Sequence, residues 1–464
     1  MHPTNHGMLL TRRMIRASTL ALLLVGCPSA YGRPSNAGSG RMLDMGRRPW
    51  RARASELLAE RLPQTQPPSS TELDYDDAAL TALAQNLDLR AARAERGIAR
   101  AQIVEASILP NVRLSGALDI PTDGATTGSN VGYAAGVSWQ VNPLFALRTA
   151  IAAGRLEAQA VELGIAWAEW QVAERARLGV VQLTFLRRRL DLARRIADEL
   201  GAREGSLERS MHEHDVTALE LATARSARES ACLTALRLAQ QRRSARLDWL
   251  DTLGLVPTSP MRVVSHPHLP EQRNTPSLAN LIRRLPETRL DLIGLRRALE
   301  AQDERARVAA INAFPAIELN LGRTLDTSNL GSFGVGVSIE LPFLDRNQGH
   351  IERARATRER LRETYFARLQ AARFEVARAY AERVSVDERL RLVRESIPHL
   401  EQLVRRAEEQ AARTNLSVVS VYELRLRWLG RQLLEQQLRQ RRLELRVALE
   451  LASGSPLPSR RAGP

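Results

Sequence analysis

Lysine is absent from this chain: its 464 residues carry 67 basic side chains, every one an arginine. A formal net charge of +15 would ordinarily point to nucleic acid or an anionic surface. Total replacement of lysine by arginine reads instead as a bias of the coding genome, and acidic residues are interspersed through most of the helical stretches, so no nucleic-acid partner is expected. Aromatic residues make up only 4% of the chain against 26% charged, which leaves little bulk for a deep core. Long helices packed along narrow apolar seams need less bulk, and Ala, Leu, Arg and Glu fill most of the periodic segments. Only two cysteines occur, Cys27 and Cys232, too few for a disulfide framework. Beyond the first thirty or so residues no run of about 18 apolar residues exists, so any membrane crossing has to be made by strands.

The apolar run near the start has a different character. Arg12, Arg13 and Arg16 precede Ala17 to Val25, then Gly26 and Cys27, which is the charged, apolar, small-residue order of an export signal. The LVGC sequence resembles the lipobox of bacterial lipoproteins, which makes Cys27 a candidate lipid anchor; the alternative is an ordinary signal cleaved near Ala30 or Gly32. The expected segments are a lipoprotein-type signal over 1–26, a flexible arm over 27–72, a first repeat over 73–254, a connector over 255–277, a second repeat over 278–454 and a disordered tail over 455–464.

The chain is organised around Leu341 to Ala356, LPFLDRNQGHIERARA. Upstream, Phe333, Val335, Val337, Ile339 and Leu341 recur at every second position with Gly334, Gly336, Ser338 and Glu340 between them, the period of a half-buried strand. Downstream lies an alanine- and charge-rich stretch free of Pro and Gly from Ile351 to Ile397. Pro342 ends the strand because it has no N–H to give, and Asp345 with Gln348 has the spacing of a capping box. A strand is therefore expected to feed a long helix within three or four residues.

The other segments follow the same grammar. A helical pattern over about 77–107 ends at Pro110. Val112, Leu114, Leu118 and Ile120, then Tyr133, Ala135, Val137, Trp139 and Val141, mark two strands about a turn-rich loop. After Pro143 a helix pattern runs to about Leu200, some 80 Å at about 1.5 Å per residue. The polar stretch Gly201 to Asp215 is expected to reverse the chain, and a helix returns over about 217–253. The second half repeats this: Pro110 answers to Pro315, Pro143 to Pro342, Thr217 to Ser417 and Gly254 to Gly454, with a helix over 278–312 in the place of the first.

Four strands cannot close a barrel alone, and isolated hairpins leave unpaired edges in lipid. Three copies would supply twelve strands, within the range of outer-membrane barrels. The paired hairpins, the LP-type junctions and the segment TNLSVVSVYEL resemble the TolC family of outer-membrane efflux ducts over about 73–454, and LPFLDRNQG is most similar to its heavy-metal branch, the CzcC and CusC type. The resemblance implies a mainly α fold with a small β part: a long antiparallel α-helical barrel, with four strands per protomer contributing to a trimeric twelve-strand transmembrane β-barrel. It also implies a passive channel from periplasm to exterior and docking to a periplasmic adaptor and an inner-membrane pump of the RND type; the cargo stays open between metal cations, drugs and secreted polypeptides, because a duct's specificity is mostly set by its pump. Carried over position by position, the family's acidic gate falls on Glu220, Ser420 and Glu423. The usual tip glycines are His214 and Thr414 here, and Ser420 stands where some members are acidic; the bland alternative is that Glu220 and Glu423 are ordinary solvated helix residues.

His212 with His214 and His266 with His268 lack the cysteines and spacing of a metal site and read as loop residues. Gly334-Val-Gly336 lies within a strand and opens no helix, so it is no phosphate loop. No nucleophile and base pair stands out, and no enzyme or cofactor is expected. The rival reading is a periplasmic coiled-coil adaptor or secretion scaffold without a pore of its own, whose strands would form a small soluble sheet.

Overall fold

In the computed structural model, residues 71–122, 130–212, 217–272, 275–411 and 418–460 are described. The candidate anchor Cys27, the signal, most of the arm, His214 and Thr414 lie outside them. Residues 58–464 belong to one unit.

Each half begins with a pair of short helices where one was expected. In the first they are α1 (Tyr75–Gln85) and α2 (Leu87–Ser107), after a two-residue strand β1 (Glu72–Leu73). Asp74 caps α1 in a capping box with Asp77, and the Asn86 side chain accepts from the Leu89 amide to start α2. Strands β2 (Arg113–Asp119) and β3 (Gly132–Gln140) follow, then α3 (Pro143–His212) and α4 (Ala218–Leu253). Two further short strands, β4 (Arg262–Val263) and β5 (Glu271–Gln272), occupy the connector. The second half runs α5 (Leu278–Thr288), α6 (Leu290–Ile311), β6 (Ala316–Leu325), β7 (Gly331–Glu340), α7 (Gln348–Ala411), α8 (Val418–Ser453) and β8 (Ser459–Arg460).

Three expectations are corrected. Helix α3 does not stop near Leu200 but continues through Gly201 and Gly205 to His212, because Leu200 and Leu207 are buried against Leu221, Ala224 and Tyr422 and hold that turn in helical register. The helix expected over 77–107 breaks at Asn86, and that over 278–312 breaks at Arg289. The two breaks are equivalent. Each receives the end of its half's returning helix, where a glycine in the left-handed region terminates the rod: Gly254 at φ 75° and Gly454 at φ 67°. Asn86 Nδ2 donates to Thr252 O at 2.9 Å, and Thr288 Oγ1 donates to Ser453 O at 2.7 Å.

The third correction concerns the junctions. Pro143 is the first residue of α3, where its missing N–H costs nothing and its fixed φ suits the helix. After β7, however, residues 341–347 intervene before α7 begins at Gln348. Asp345 does not cap the helix. Its Oδ1 accepts from the Asn347 amide at 2.8 Å, Gln348 Oε1 accepts from the Arg346 amide at 2.6 Å, and Asn347 takes φ 60° with its side chain donating to Ala309 O at 2.8 Å. Pro342 lies in this linker. A local turn anchored on α6 has displaced the expected box, since Asn tolerates the left-handed conformation.

The β-sheet joins the halves. Its order is β2-β3-β6-β7, antiparallel throughout, so that β3 of the first half pairs with β6 of the second. Below it, one apolar cluster gathers Leu73, Tyr75, Ala82, Val180, Phe185 and Trp249; a second gathers Leu285, Leu292, Leu369, Val376 and Leu449. Trp249 lies so close to α3 that a Cβ built on Gly179 would stand 2.2 Å from its Cδ1, while its indole N–H donates to Ala176 O at 3.2 Å. Gly179→Ala is therefore expected to lower stability by about 1–3 kcal/mol through overpacking, read as a lower denaturant midpoint of the solubilised protein. An unchanged midpoint would show that Trp249 gives way freely.

Candidate functional site

The sheet has two unlike faces. Successive strand residues point to opposite sides, and the register aligns Leu114, Val137, Leu321 and Val335 in one row across all four strands, with Trp139, Leu319 and Val337 in the next and Leu118, Tyr133 and Leu325 on the other side. Among the described residues this face is left largely open: Leu114 is 73% exposed and Val335 77%. Between the first and last of these rows, Gly116, Ala135, Arg323 and Phe333 form another, and its Arg323 is the one charged side chain on this face of the four strands as described.

The opposite face is polar or bare. Ser115, Gly136, Gly322 and Gly334 form one row, Ala117, Ala134, Thr324 and Ser332 another, and Gln140, Glu318 and Ser338 a third. Its side chains bond to one another: Ser138 Oγ donates to Glu318 Oε1 at 2.6 Å, Asn320 Nδ2 to Ser338 Oγ at 2.8 Å, and Thr324 meets Ser332 at 2.6 Å. Among the described residues the outer strands β2 and β7 each have one unpaired edge. They run in opposite directions, so an edge β7 can meet an edge β2 of another copy antiparallel.

From this sheet the helices extend far. At about 1.5 Å per residue, α3 is about 105 Å long and α7 about 95 Å. Among the described residues no helix is long and apolar enough to cross a membrane.

At the far end of α3 and α4 stand the candidate gate residues. Glu220 is the third residue of α4, and its carboxylate is occupied: Oε2 accepts from the Thr217 amide and from Thr217 Oγ1, each at 2.9 Å, while Thr217 Oγ1 accepts from the Glu220 amide at 3.3 Å. This is a capping box. Ser420 is exposed in the first turn of α8, and Glu423 is exposed with Arg427 Nη2 at 3.6 Å. The residues that hold this end together are others. Arg425 bridges Glu199, at 2.7 Å, and Glu408; Arg203 reaches Glu408 at 2.8 Å; Glu204, largely buried, takes Arg228 at 3.0 Å and Arg225 at 3.3 Å. Nothing in the sequence pattern singled these out, since their partners lie on different helices.

His212 ends α3, and His266 lies exposed in the connector. His268 donates its amide to Asp74 Oδ1 at 2.9 Å and sets Nδ1 2.6 Å from Asp74 Oδ2, fastening the connector to the start of α1. Among the described residues no group of three or more His, Cys, Asp or Glu is arranged to hold a metal ion.

A buried ionic cluster lies between α1, α3 and α8. Glu174 is wholly buried, with Oε1 2.7 Å from Arg177 Nη1, while Arg177 Nη2 reaches Asp76 at 2.6 Å. Arg446 Nε meets Glu450 Oε1 at 3.1 Å. Burial pushes the Glu174 carboxyl up to about 7 against the pull of Arg177, with Glu450 raising it further. A carboxyl raised on folding contributes stability that is full below its unfolded value near 4.5 and is lost as pH rises through about 7. Glu174→Gln is therefore expected to flatten the fall in denaturant midpoint between pH 5 and 8. A variant with the same slope as the parent would remove Glu174 as its source.

Comparison with known proteins agrees with this architecture. Residues 281–455 match the family model of the outer membrane efflux protein. No curated protein sequence is significantly similar to the chain. Among solved structures, CusC is similar with a TM-score of 0.68 at 19% identity, covering 85% of this chain and 99% of its own. The Vibrio cholerae outer membrane protein VceC gives 0.68 at 17% identity, covering 82% and 96%. The Campylobacter jejuni outer membrane channel CmeC gives 0.69 at 15% identity, covering 86% and 92%.

Proposed function

We propose that this chain, a TolC-type outer membrane efflux protein by its matched segment and by its fold, works as the outer-membrane duct of a tripartite efflux system. Three copies close their sheets edge to edge, β7 of one against β2 of the next, into a twelve-strand barrel. Closure satisfies the edges that lipid cannot. The uncovered apolar face then meets hydrocarbon, and the polar, glycine-rich face lines water. Tyr133 and Phe333 near the loops, with Trp139 near the helices, fit the two interfacial levels at which amphipathic rings settle. Below the barrel, the long helices of the three copies enclose the passage through the periplasm, where an adaptor and an inner-membrane pump of the RND type would dock. The single observation that carries the reading is the four-stranded sheet with one apolar face uncovered and two edges unpaired.

Conduction is passive and needs no catalytic group. Metal cations are the proposed cargo, supported by the likeness of the LPFLDRNQG junction to the heavy-metal branch. Of the gate candidates, Glu220 acts as a helix cap; Glu423, exposed and loosely paired, is the carboxylate free to favour cations as charged rings do.

The purified protein is expected to give stable unitary currents in planar bilayers, with Glu423→Gln lowering the cation-to-anion permeability ratio at low salt. Absence of unitary currents would defeat the duct, and an unaltered ratio would defeat the gate role alone. Lipidation at Cys27 is a separate proposal: Cys27→Ser is expected to lose incorporated palmitate yet still require detergent for extraction, because strands hold it in the membrane. A variant that stayed in the aqueous fraction would instead support the soluble adaptor.

A further inference from the structure

Arginines in this chain generally face carboxylates, as Arg177, Arg228, Arg289 and Arg425 do. One cavity departs from that rule. Between α3, α4 and the small ribbon of β1 and β4 lies a pocket of about 330 Å³ whose lining, among the described residues, includes four arginines, Arg187, Arg242, Arg246 and Arg262, and one acidic residue, Glu72. Arg187 donates to Ser265 O, and Arg246 donates to Ser259 O at 2.5 Å. These carbonyls orient the two guanidinium groups without neutralising them. Among the described residues neither Arg242 nor Arg262, both exposed at the pocket's rim, meets a carboxylate, so the lining carries an excess of positive charge, two of its forks oriented by carbonyls. Met261 and Val263 supply an apolar wall.

We infer that this pocket is a binding site for a small phosphate ester. Planar guanidinium forks match phosphate oxygens in pairs, and several converging forks favour a doubly charged phosphate over a single carboxylate. The apolar wall would accept the body of the ester. Two sources share this chemistry, a soluble phosphate ester and a phospholipid headgroup. The position of the pocket selects the first: it flanks Leu183 and Arg187 of α3, roughly forty residues and so about 60 Å along the helix from Pro143, where the helix leaves the sheet. If the sheet lies in the membrane, as the duct reading has it, no lipid headgroup of that membrane reaches so far. The pocket itself does not depend on that reading.

The test is titration calorimetry of the full-length solubilised protein at low ionic strength, with inorganic pyrophosphate and with dihexanoyl phosphatidylglycerol as the two probes. Pyrophosphate is expected to bind saturably, with affinity reduced at least tenfold in the Arg242→Ala/Arg262→Ala double variant and unchanged in Arg237→Ala/Arg243→Ala, which removes the same charge from exposed positions outside the pocket. Affinity should also fall steeply with added salt. Absence of saturable binding to the parent protein overturns the site, as does equal loss in both double variants, which would mean general charge attraction. Binding of the lipid without pyrophosphate overturns the assignment to a soluble ester. Channel currents are read in parallel; their loss with binding intact would count against the duct and not against this pocket.

Discussion

Arg289→Ala is expected to destabilise the protein by about 3–5 kcal/mol, the usual consequence of removing one partner from a buried ion pair. Arg289 sits at the break between α5 and α6 with its side chain only 1% exposed. Its guanidinium meets Asp291 Oδ2 at 2.7 Å, Glu375 Oε2 at 2.6 Å and Ala452 O at 3.2 Å, and it lies 4.8 Å from the Trp167 ring centroid. One side chain thus ties α6, α7 and the end of α8 together against α3 of the other half. Truncation would leave Asp291 with Arg368, at 2.8 Å, and the Leu292 amide, at 2.9 Å, and strand the Ala452 carbonyl. Arg289→Lys is expected to recover only part of the loss, because a compact ammonium cannot reproduce the two-pronged contact with Asp291 or the planar stacking over Trp167. A midpoint for the alanine variant within about 0.5 kcal/mol of the parent, the range of ordinary surface changes, would contradict this account.

Gly254→Ala carries the second large effect. At φ 75° a Cβ costs about 1–2 kcal/mol in conformation alone. Here that Cβ would also stand 2.4 Å from Gln85 O and 2.8 Å from the Asn86 Cα, backbone atoms that no rotamer change can move aside. Overlap of this kind adds a further ~1–3 kcal/mol. The equivalent Gly454→Ala meets Thr288 O at 2.9 Å and the Arg289 Cα at 3.0 Å, so its penalty should be smaller. The comparison is the sharper measurement: both variants in one denaturant series, with the first half's glycine the more sensitive. The reverse order would mean that the break at Asn86 yields more readily than its geometry indicates.

Much of the architecture is readable from residue order because its periods are simple. Strands β2, β3, β6 and β7 announce themselves by alternation, and Pro143 and Gly254 mark where a rod begins and ends. The double occurrence of the whole pattern needs no alignment to detect. The candidate gate was carried over by resemblance, and its chemistry was hidden, since Glu220 looks the same in a string whether it lines a channel or closes a capping box with Thr217. The breaks at Asn86 and Arg289 were hidden for a related reason. Neither break carries a local stop as strong as Pro143 or Gly254; each is fixed by another helix arriving from about 165 positions away, as the bond from Thr288 to Ser453 records.

By itself, then, the sequence determined the alternation of strand and rod, the duplication and the two faces of each strand, because side-chain periodicity is a property of the local backbone. Only the tertiary structure decided that β3 pairs with β6, that Arg289 is a buried hub, and that four arginines from three separate segments surround one cavity. Those outcomes depend on which distant surfaces meet, and electrostatic and packing energies between them are set by distance in space rather than by position along the chain.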